Sequence, residues 1–462
     1  MKTNLTKLVC LMLVCAFALV TLVACNKTQE SEETTNADTT AAPETTVEET
    51  EETTEEETTE EATTEEVTTT YMQSLGLKEE NLSDIMKSLF DGNEVKNETV
   101  FVIDRGETKK LLYPATEIIS VTSYNGSITY TEGVDYVLDN GGIKILEGSS
   151  IPEITSAVYY NNTSNPAIQV NHNGTPTWVY WGEGDTMTKY QVSVTYKHES
   201  TWEGFEQPNS SKTYEKLIKK LEAGEDVTFI FYGDSITCGA TSSWFSNTGD
   251  QHSYSMLFTE AIADLFGYTV HFIDVSHLQP GMIKPTPEDY VGGTRGTITY
   301  INPSVGGWTS ANGNENFNTF VKPYVEQYGC DLFSVAFGMN DASVPVSGTA
   351  NTLKSIISKV AEIDSDVCAI MVSTMVPNNL ATNGWYGNQE KQESALGMKL
   401  SQLNSSGIPT AIARMTSMSL SILQYKDFLD YTGNNIIHPN DFFNRIYAQT
   451  LLQCVIGYEN IN

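Results

Sequence analysis

From residue 227 onward the chain repeats one pattern: a short apolar run, a stretch of helical periodicity, then another apolar run. The runs are 227–232, 270–275, 297–301, 332–337, 367–372 and 410–413. Helical stretches are read at 214–223 (ending at Gly224), 254–265, 317–328, 353–363, 390–403 and 443–456. Mostly apolar strands are covered on both faces, and strands that alternate with helices run parallel. The pattern therefore predicts an α/β unit over residues 213–462, a parallel sheet between two layers of helices. In such sheets ligands bind beyond the carboxyl ends of the strands.

Four polar blocks fall at those ends or on nearby loops. Gly233-Asp-Ser-Ile236 follows the run 227–232; Pro303-Ser-Val-Gly-Gly-Trp-Thr-Ser310 follows 297–301; Gly338-Met-Asn-Asp341 follows 332–337; and His438-Pro-Asn-Asp441 precedes the last helix. Each has a plain reading. Gly, Asp and Ser favour turns, Asn340 suits an Asx turn, and Asp441 suits a helix N-cap. Each also has a chemical reading. A serine hydroxyl is a weak nucleophile until a base takes its proton, and imidazole does this near neutral pH. Charge that develops on a carbonyl oxygen needs fixed N–H donors, which paired glycines and an Asn amide can present. His252, His271 and His277 lie in or beside an apolar strand or at a helix start, and are read as structural or surface residues.

Residues 95–205 read differently. Gln191-Val-Ser-Val-Thr-Tyr-Lys197 alternates with period two, and Asn125-Gly126 and Asn140-Gly141 each separate two short strand-like runs. Asn-Gly is a strong two-residue hairpin signal, so a small all-β sandwich or jelly roll is expected here, with a partly helical lead-in over 71–94. Residues 26–70 hold sixteen acids and one lysine, −15 of the chain's −33, and no aromatic residue. Such a tract has too little apolar surface to offset its ordering entropy and is read as a disordered tether over 25–70. The first 24 residues carry two lysines and then an apolar stretch from Leu8, the pattern of an export signal. Leu22-Val-Ala-Cys25 resembles a bacterial lipobox, which implies cleavage before Cys25, lipid on its sulfur and anchorage to the outer face of the bacterial membrane. A transmembrane anchor is the alternative, at the lower limit of a span of about 17–25 residues. The acidic balance argues against nucleic acid as a partner, and no P-loop or GxGxxG stretch supports nucleotide binding. Cys238, Cys330, Cys368 and Cys454 have no metal-ligand spacing and are read as free thiols, mostly of the core.

Taken together, the order and placement of the four blocks resemble those of the SGNH hydrolases, the GDSL esterase/lipase family, over roughly residues 225–458. The resemblance implies a flavodoxin-like three-layer fold and ester hydrolysis through an acyl-enzyme, with no metal or cofactor. It implies Ser235 as nucleophile, His438 as general base, and an oxyanion hole made by the N–H groups of Ser235 and Gly307 with the Asn340 amide. One position departs from the family pattern: the acid three residues before the histidine is here Asn435. Three readings stay open. A backbone carbonyl orients His438, making a dyad; or Asp430, Asp427 or Asp441 supplies a carboxylate; or the site is weak or inactive. A β-domain before an SGNH domain is similar to the arrangement of carbohydrate esterase family 2. That likeness, with Asp234, Trp244, Trp308 and Trp385 as candidate substrate-lining residues, points to an enzyme that removes acyl groups, acetyl above all, from extracellular or cell-envelope polysaccharide; a monomer is expected. A lipolytic esterase or thioesterase, and a non-catalytic glycan-binding protein, are the alternatives.

Overall fold

The computed structural model describes Met86 and residues 88–457, apart from 162–166, 173–174, 279–283 and 381–383. The signal, the lipidation at Cys25, the tether and most of the lead-in lie outside the described residues. No described helix is long and apolar enough to cross a membrane.

The described residues of the N-terminal part hold eight strands: β1 (Glu94–Phe101), β2 (Thr108–Lys109), β3 (Ala115–Ser123), β4 (Tyr136–Asp139), β5 (Gly142–Ile145), β6 (Ala167–His172), β7 (Thr175–Tyr180) and β8 (Gln191–His198). They form three small antiparallel sheets, β1-β8-β3, β2-β5-β4 and β6-β7, rather than a demonstrated jelly roll. The hairpin expected at Asn140-Gly141 is present. Asp139 pairs with Gly142, and Asn140 and Gly141 have φ of 49° and 77°. Two consecutive left-handed residues make the tight turn whose twist suits a hairpin, and Asn and Gly accept it at least cost. At Asn125-Gly126 the turn also forms, but the returning segment makes only an isolated bridge, Thr122 to Thr129.

The α/β part holds β9 (Val227–Gly233), β10 (Thr269–Asp274), β11 (Tyr290–Val291), β12 (Thr297–Asn302), β13 (Leu332–Ala336), β14 (Cys368–Val372) and β15 (Thr410–Ala413). They make one seven-stranded sheet in the order β11-β10-β12-β9-β13-β14-β15. Only the short edge strand β11 is antiparallel to its neighbour. Strand alternation divides the core in two. Phe229 and Phe231 of β9 face one side, beneath the helices Tyr254–Phe266, Met415–Ile422 and Asp441–Val455. Ile230 and Tyr232 face the other, beneath Val346–Ile363 and Gln389–Ser405. These are the three layers expected from the apolar runs. The helix expected over 317–328 is broken into Phe317–Phe320 and Lys322–Tyr328, and Pro323 accounts for the break, since its ring cannot sit in a helix interior. Strand order reverses about β9, whose neighbours β12 and β13 both come later in the chain, so a crevice opens at its carboxyl end.

All described residues belong to one compact unit, Val67–Asn462. Val100, Val121, Val192 and Val194 of the β-part join the same apolar cluster as Phe229 and Phe231. A buried charge cluster adds to this. Lys426 Nζ, with a fully buried side chain, lies 2.6 Å from Glu98 Oε1 of β1 and 3.2 Å from Asp430 Oδ2, and donates to Lys110 O. Glu98 also accepts from Tyr196 Oη at 2.6 Å and from the Leu112 N–H. Burial alone would lower the Lys426 pKa, but Asp430 and Glu98 outweigh it and hold it above the ordinary value, so the ammonium stays charged. Lys426→Ala leaves two carboxylates buried without their counter-charge. The expected loss is about 3–5 kcal/mol, read as a lower urea midpoint at unchanged m-value. A change under ~1 kcal/mol would show that water replaces the ammonium.

Candidate active site

The first block is built by close approach of backbone. β9 ends at Gly233, where a Cβ would stand 2.2 Å from Thr237 Oγ1 and 2.6 Å from Ala336 O. Only glycine fits there. Asp234 then N-caps the single helical turn Ser235–Cys238, its Oδ1 accepting from Ile236 N at 3.0 Å. Ser235 is 4 % exposed at the start of that turn, so its own N–H has no intrahelical acceptor.

The other blocks are stitched to the first. Ser304 Oγ accepts from Gly233 N at 2.9 Å, and Val305 N donates to Gly233 O at 3.1 Å. The buried Asp341 carboxylate accepts from Ser310 N at 2.8 Å and from Thr349 Oγ1 at 2.6 Å. Asn340 Nδ2 donates to Trp308 O at 3.1 Å, which leaves its second amide hydrogen for another acceptor. The two glycines of the second block differ. Gly306 N donates to His277 O at 2.7 Å, whereas no hydrogen bond among the described residues takes the Gly307 N–H. Gly307 has φ of 75°, is exposed and has open space where a Cβ would be.

His438 sits on a tight turn. The Asn434 side chain closes it, Oδ1 accepting from the N–H groups of Ile436, Ile437 and His438 at 2.9–3.0 Å. Gly433 N donates to His438 O at 2.9 Å, and Thr432 Oγ1 donates to the same oxygen. His438 Nε2 lies 2.8 Å from Ser235 Oγ. On its other side, Nδ1 lies 2.9 Å from Glu183 Oε1 and 3.1 Å from Oε2. Asn434 Nδ2 also lies 3.0 Å from Nδ1 but donates to Glu183 Oε1 at 2.9 Å; a carboxylate only accepts, so Nδ1 carries the hydrogen and Nε2 is left to accept from the serine hydroxyl. Burial lowers the His438 pKa, but the Glu183 charge, its hydrogen bond and the more distant Asp234 outweigh it and hold the imidazole above its ordinary value. Burial pushes Asp234 up to about 7, against the Ile236 N–H and His438, which pull it down.

Glu183 was not legible as a candidate. It lies in the loop between β7 and the short helix Asp185–Thr188, in the run Trp181-Gly-Glu-Gly184, 255 residues from the histidine. Two glycines around a lone acid are the only local signal, and they mark any turn. The residues expected to orient His438 are engaged elsewhere. Asn435 is fully buried at φ 70°, with Nδ2 donating to Tyr159 Oη at 2.7 Å and Tyr180 O at 2.8 Å. Asp430 accepts from Phe101 N at 2.7 Å and faces Lys426. Asp441 accepts from Ser243 N at 2.8 Å and is not the helix cap; Asn440 is, accepting from Phe443 N.

The proposed lining residues also divide. Asp234 is 2 % exposed and caps the serine turn, with only the small cavity behind that turn beside it. Trp308 is half-buried, edge-on to Phe320 at 4.8 Å; Trp244 is half-buried against the His252 ring at 5.0 Å; Trp385 is half-buried against the main core. His252 pairs with Glu260, and the exposed His271 with Asp289 at 2.9 Å. Cys238, Cys330, Cys368 and Cys454 are all buried free thiols.

Comparison with known proteins bears on the same segment. Residues 229–413 match the family model described as GDSL-like Lipase/Acylhydrolase. The match ends before His438. No curated protein matches the chain. Among solved structures, a two-domain esterase active on acetylated mannans, co-crystallised with mannopentaose, is 18 % identical with a TM-score of 0.38. That alignment covers 55 % of each chain, so this chain spans about half the length of that enzyme. An acetylxylan esterase from Geobacillus stearothermophilus is 14 % identical with a TM-score of 0.34, over 49 % of this chain and 93 % of that one. A GDSL-like lipase from Parabacteroides merdae is 15 % identical, TM-score 0.33, over 50 % and 95 %. With the stitched blocks on the central sheet and the family match over the same strands, residues 229–413 form a domain of the GDSL-like lipase/acylhydrolase type.

Proposed function

We propose that this protein is a serine esterase that removes O-acyl groups, acetyl above all, from polysaccharide outside the cell or in its envelope. The observation that carries the reading is the 2.8 Å contact of Ser235 Oγ with His438 Nε2; we read the Ser235 and Gly307 N–H groups and the Asn340 amide as the oxyanion donors. The steps follow from that geometry. Ser235 Oγ attacks the acyl carbon as its proton passes to His438 Nε2, and the carbonyl electron pair moves onto oxygen, toward the donors. Collapse breaks the bond to the sugar oxygen, which takes the proton back from Nε2. Water then repeats the sequence on the acyl-serine, releasing the acid and the free hydroxyl.

Two exposed aromatic residues support a sugar ester. Trp178, five residues before Glu183, is 49 % exposed, and Tyr386 is 45 % exposed; aromatic faces of this kind stack on sugar rings. We read the first 24 residues as an export signal, Cys25 as the lipidated residue and the acidic tract as a tether that reaches at most about 150 Å from the outer membrane face, at ~3.4 Å per residue.

Acetate release from a panel of acetylated polysaccharides tests the reading. Ser235→Ala is expected to abolish release while the thermal unfolding midpoint stays put; full activity in that variant would end it. Asn340→Ala is expected to lower kcat on the order of 10²-fold, about 3 kcal/mol of transition-state stabilisation. An effect confined to KM would place Asn340 in ground-state binding instead.

A further inference from the structure

We infer that the N-terminal β-part is a working component of the active site: through Glu183 it supplies the carboxylate that orients His438 and balances its charge during catalysis. The inference rests on the esterase reading above. Among the described residues the α/β part presents no carboxylate of its own to Nδ1, since Asn435 stands at the local position and Asp430 and Asp441 bond elsewhere. Glu183 reaches Nδ1 with both oxygens, at 2.9 and 3.1 Å, and accepts from Asn434 Nδ2 at 2.9 Å. The amide that closes the histidine turn therefore also holds the carboxylate against it.

The placement is braced from both directions. Asn435 Nδ2 donates to Tyr180 O and Tyr159 Oη, and Gly182 N donates to Asn434 O at 3.4 Å, so the chain on either side of Trp181 is fastened to the turn. Gln191 Nε2, at the start of β8, donates to Leu429 O and to Thr432 O at 2.8 Å. Every one of these bonds joins residues of 101–191 to residues of 429–440.

In chemical terms, the proton that leaves Ser235 Oγ makes His438 a cation, buried at 6 % exposure. Without a counter-charge that cation is costly; beside an ionised carboxylate it is not. Glu183 takes no proton in any step. The charged groups facing the imidazole are Glu183 from the β-part and, further away, Asp234 from the serine turn. The His438 pKa is raised in the folded enzyme, so kcat/KM falls as pH drops through that raised value. Removing Glu183 removes the main raising influence and moves the acid limb to lower pH.

The test is kinetics of the full chain carrying Glu183→Gln, with Glu183→Asp and Ser235→Ala alongside. Glu183→Gln is expected to lower kcat by about 10⁴-fold with KM little changed, the size seen when such a carboxylate is neutralised or removed. The acid limb of kcat/KM and the NMR titration of the His438 ring should both move to lower pH, and Glu183→Asp should recover part of both. Because the side chain is 39 % exposed, the fold is expected to survive, and the ring titration reads the role apart from turnover. A Glu183→Gln enzyme with unchanged kcat, or one that loses activity while the ring titration stays put, overturns the inference while a dead Ser235→Ala leaves the esterase reading standing. Activity surviving in Ser235→Ala takes down both.

Discussion

The contact between Ser235 Oγ and His438 Nε2 joins side chains 203 residues apart, and each is held by different means. The serine is held by the sheet. β9 is the strand about which the order reverses, and the absent side chain of Gly233 lets the turn press against Thr237 and Ala336. The histidine has no such support, because its turn leaves the sheet altogether. It is held by side chains, Asn434 from within the turn and Asn435, Gln191 and Glu183 across it. Rigid backbone on one side and a satisfied polar network on the other together give a distance short enough for proton transfer.

That network is polar where a core is usually apolar, and it joins the β-part to the α/β part. The Lys426–Glu98–Asp430 cluster belongs to it, since Asp430 also accepts from Phe101 N and its own carbonyl accepts from Asn440 Nδ2. Buried charges of this kind add little net stability compared with a well-packed apolar replacement. What they add is geometric. A carboxylate and an ammonium at 2.6 Å tolerate little sliding, whereas valines against valines tolerate several arrangements. The register of residues 426–440 on the β-part is therefore set by hydrogen bonds, and the apolar contacts of Val100, Val121, Val192 and Val194 supply the adhesion.

Much of the α/β architecture was readable because its determinants are local. Mostly apolar runs of four to six residues specify strands covered on both faces, and Asn140-Gly141 specifies a hairpin from two residues alone. The blocks at 233–236, 303–310, 338–341 and 438–441 were readable as a set. Their small and polar residues are needed at the strand ends, where backbone must come close and donors must point outward. Gly307 could not be told from Gly306 in this way. The difference rests on whether a distant carbonyl, His277 O, takes the N–H. Asn435 shows the opposite failure. Its spacing from the histidine placed it beside the imidazole, but φ of 70° turns its side chain into the β-part, and its neighbour Asn434 closes the turn instead.

The sequence alone determined the layered sheet, the hairpin at Asn140-Gly141, and serine and histidine as the residues at issue, since periodicity, turn propensity and side-chain chemistry each act within a few residues. The tertiary structure decided which carboxylate meets His438. That choice depends on how two parts of the chain dock, through bonds between residues more than two hundred positions apart, and no local pattern of charge or hydropathy encodes a contact of that range.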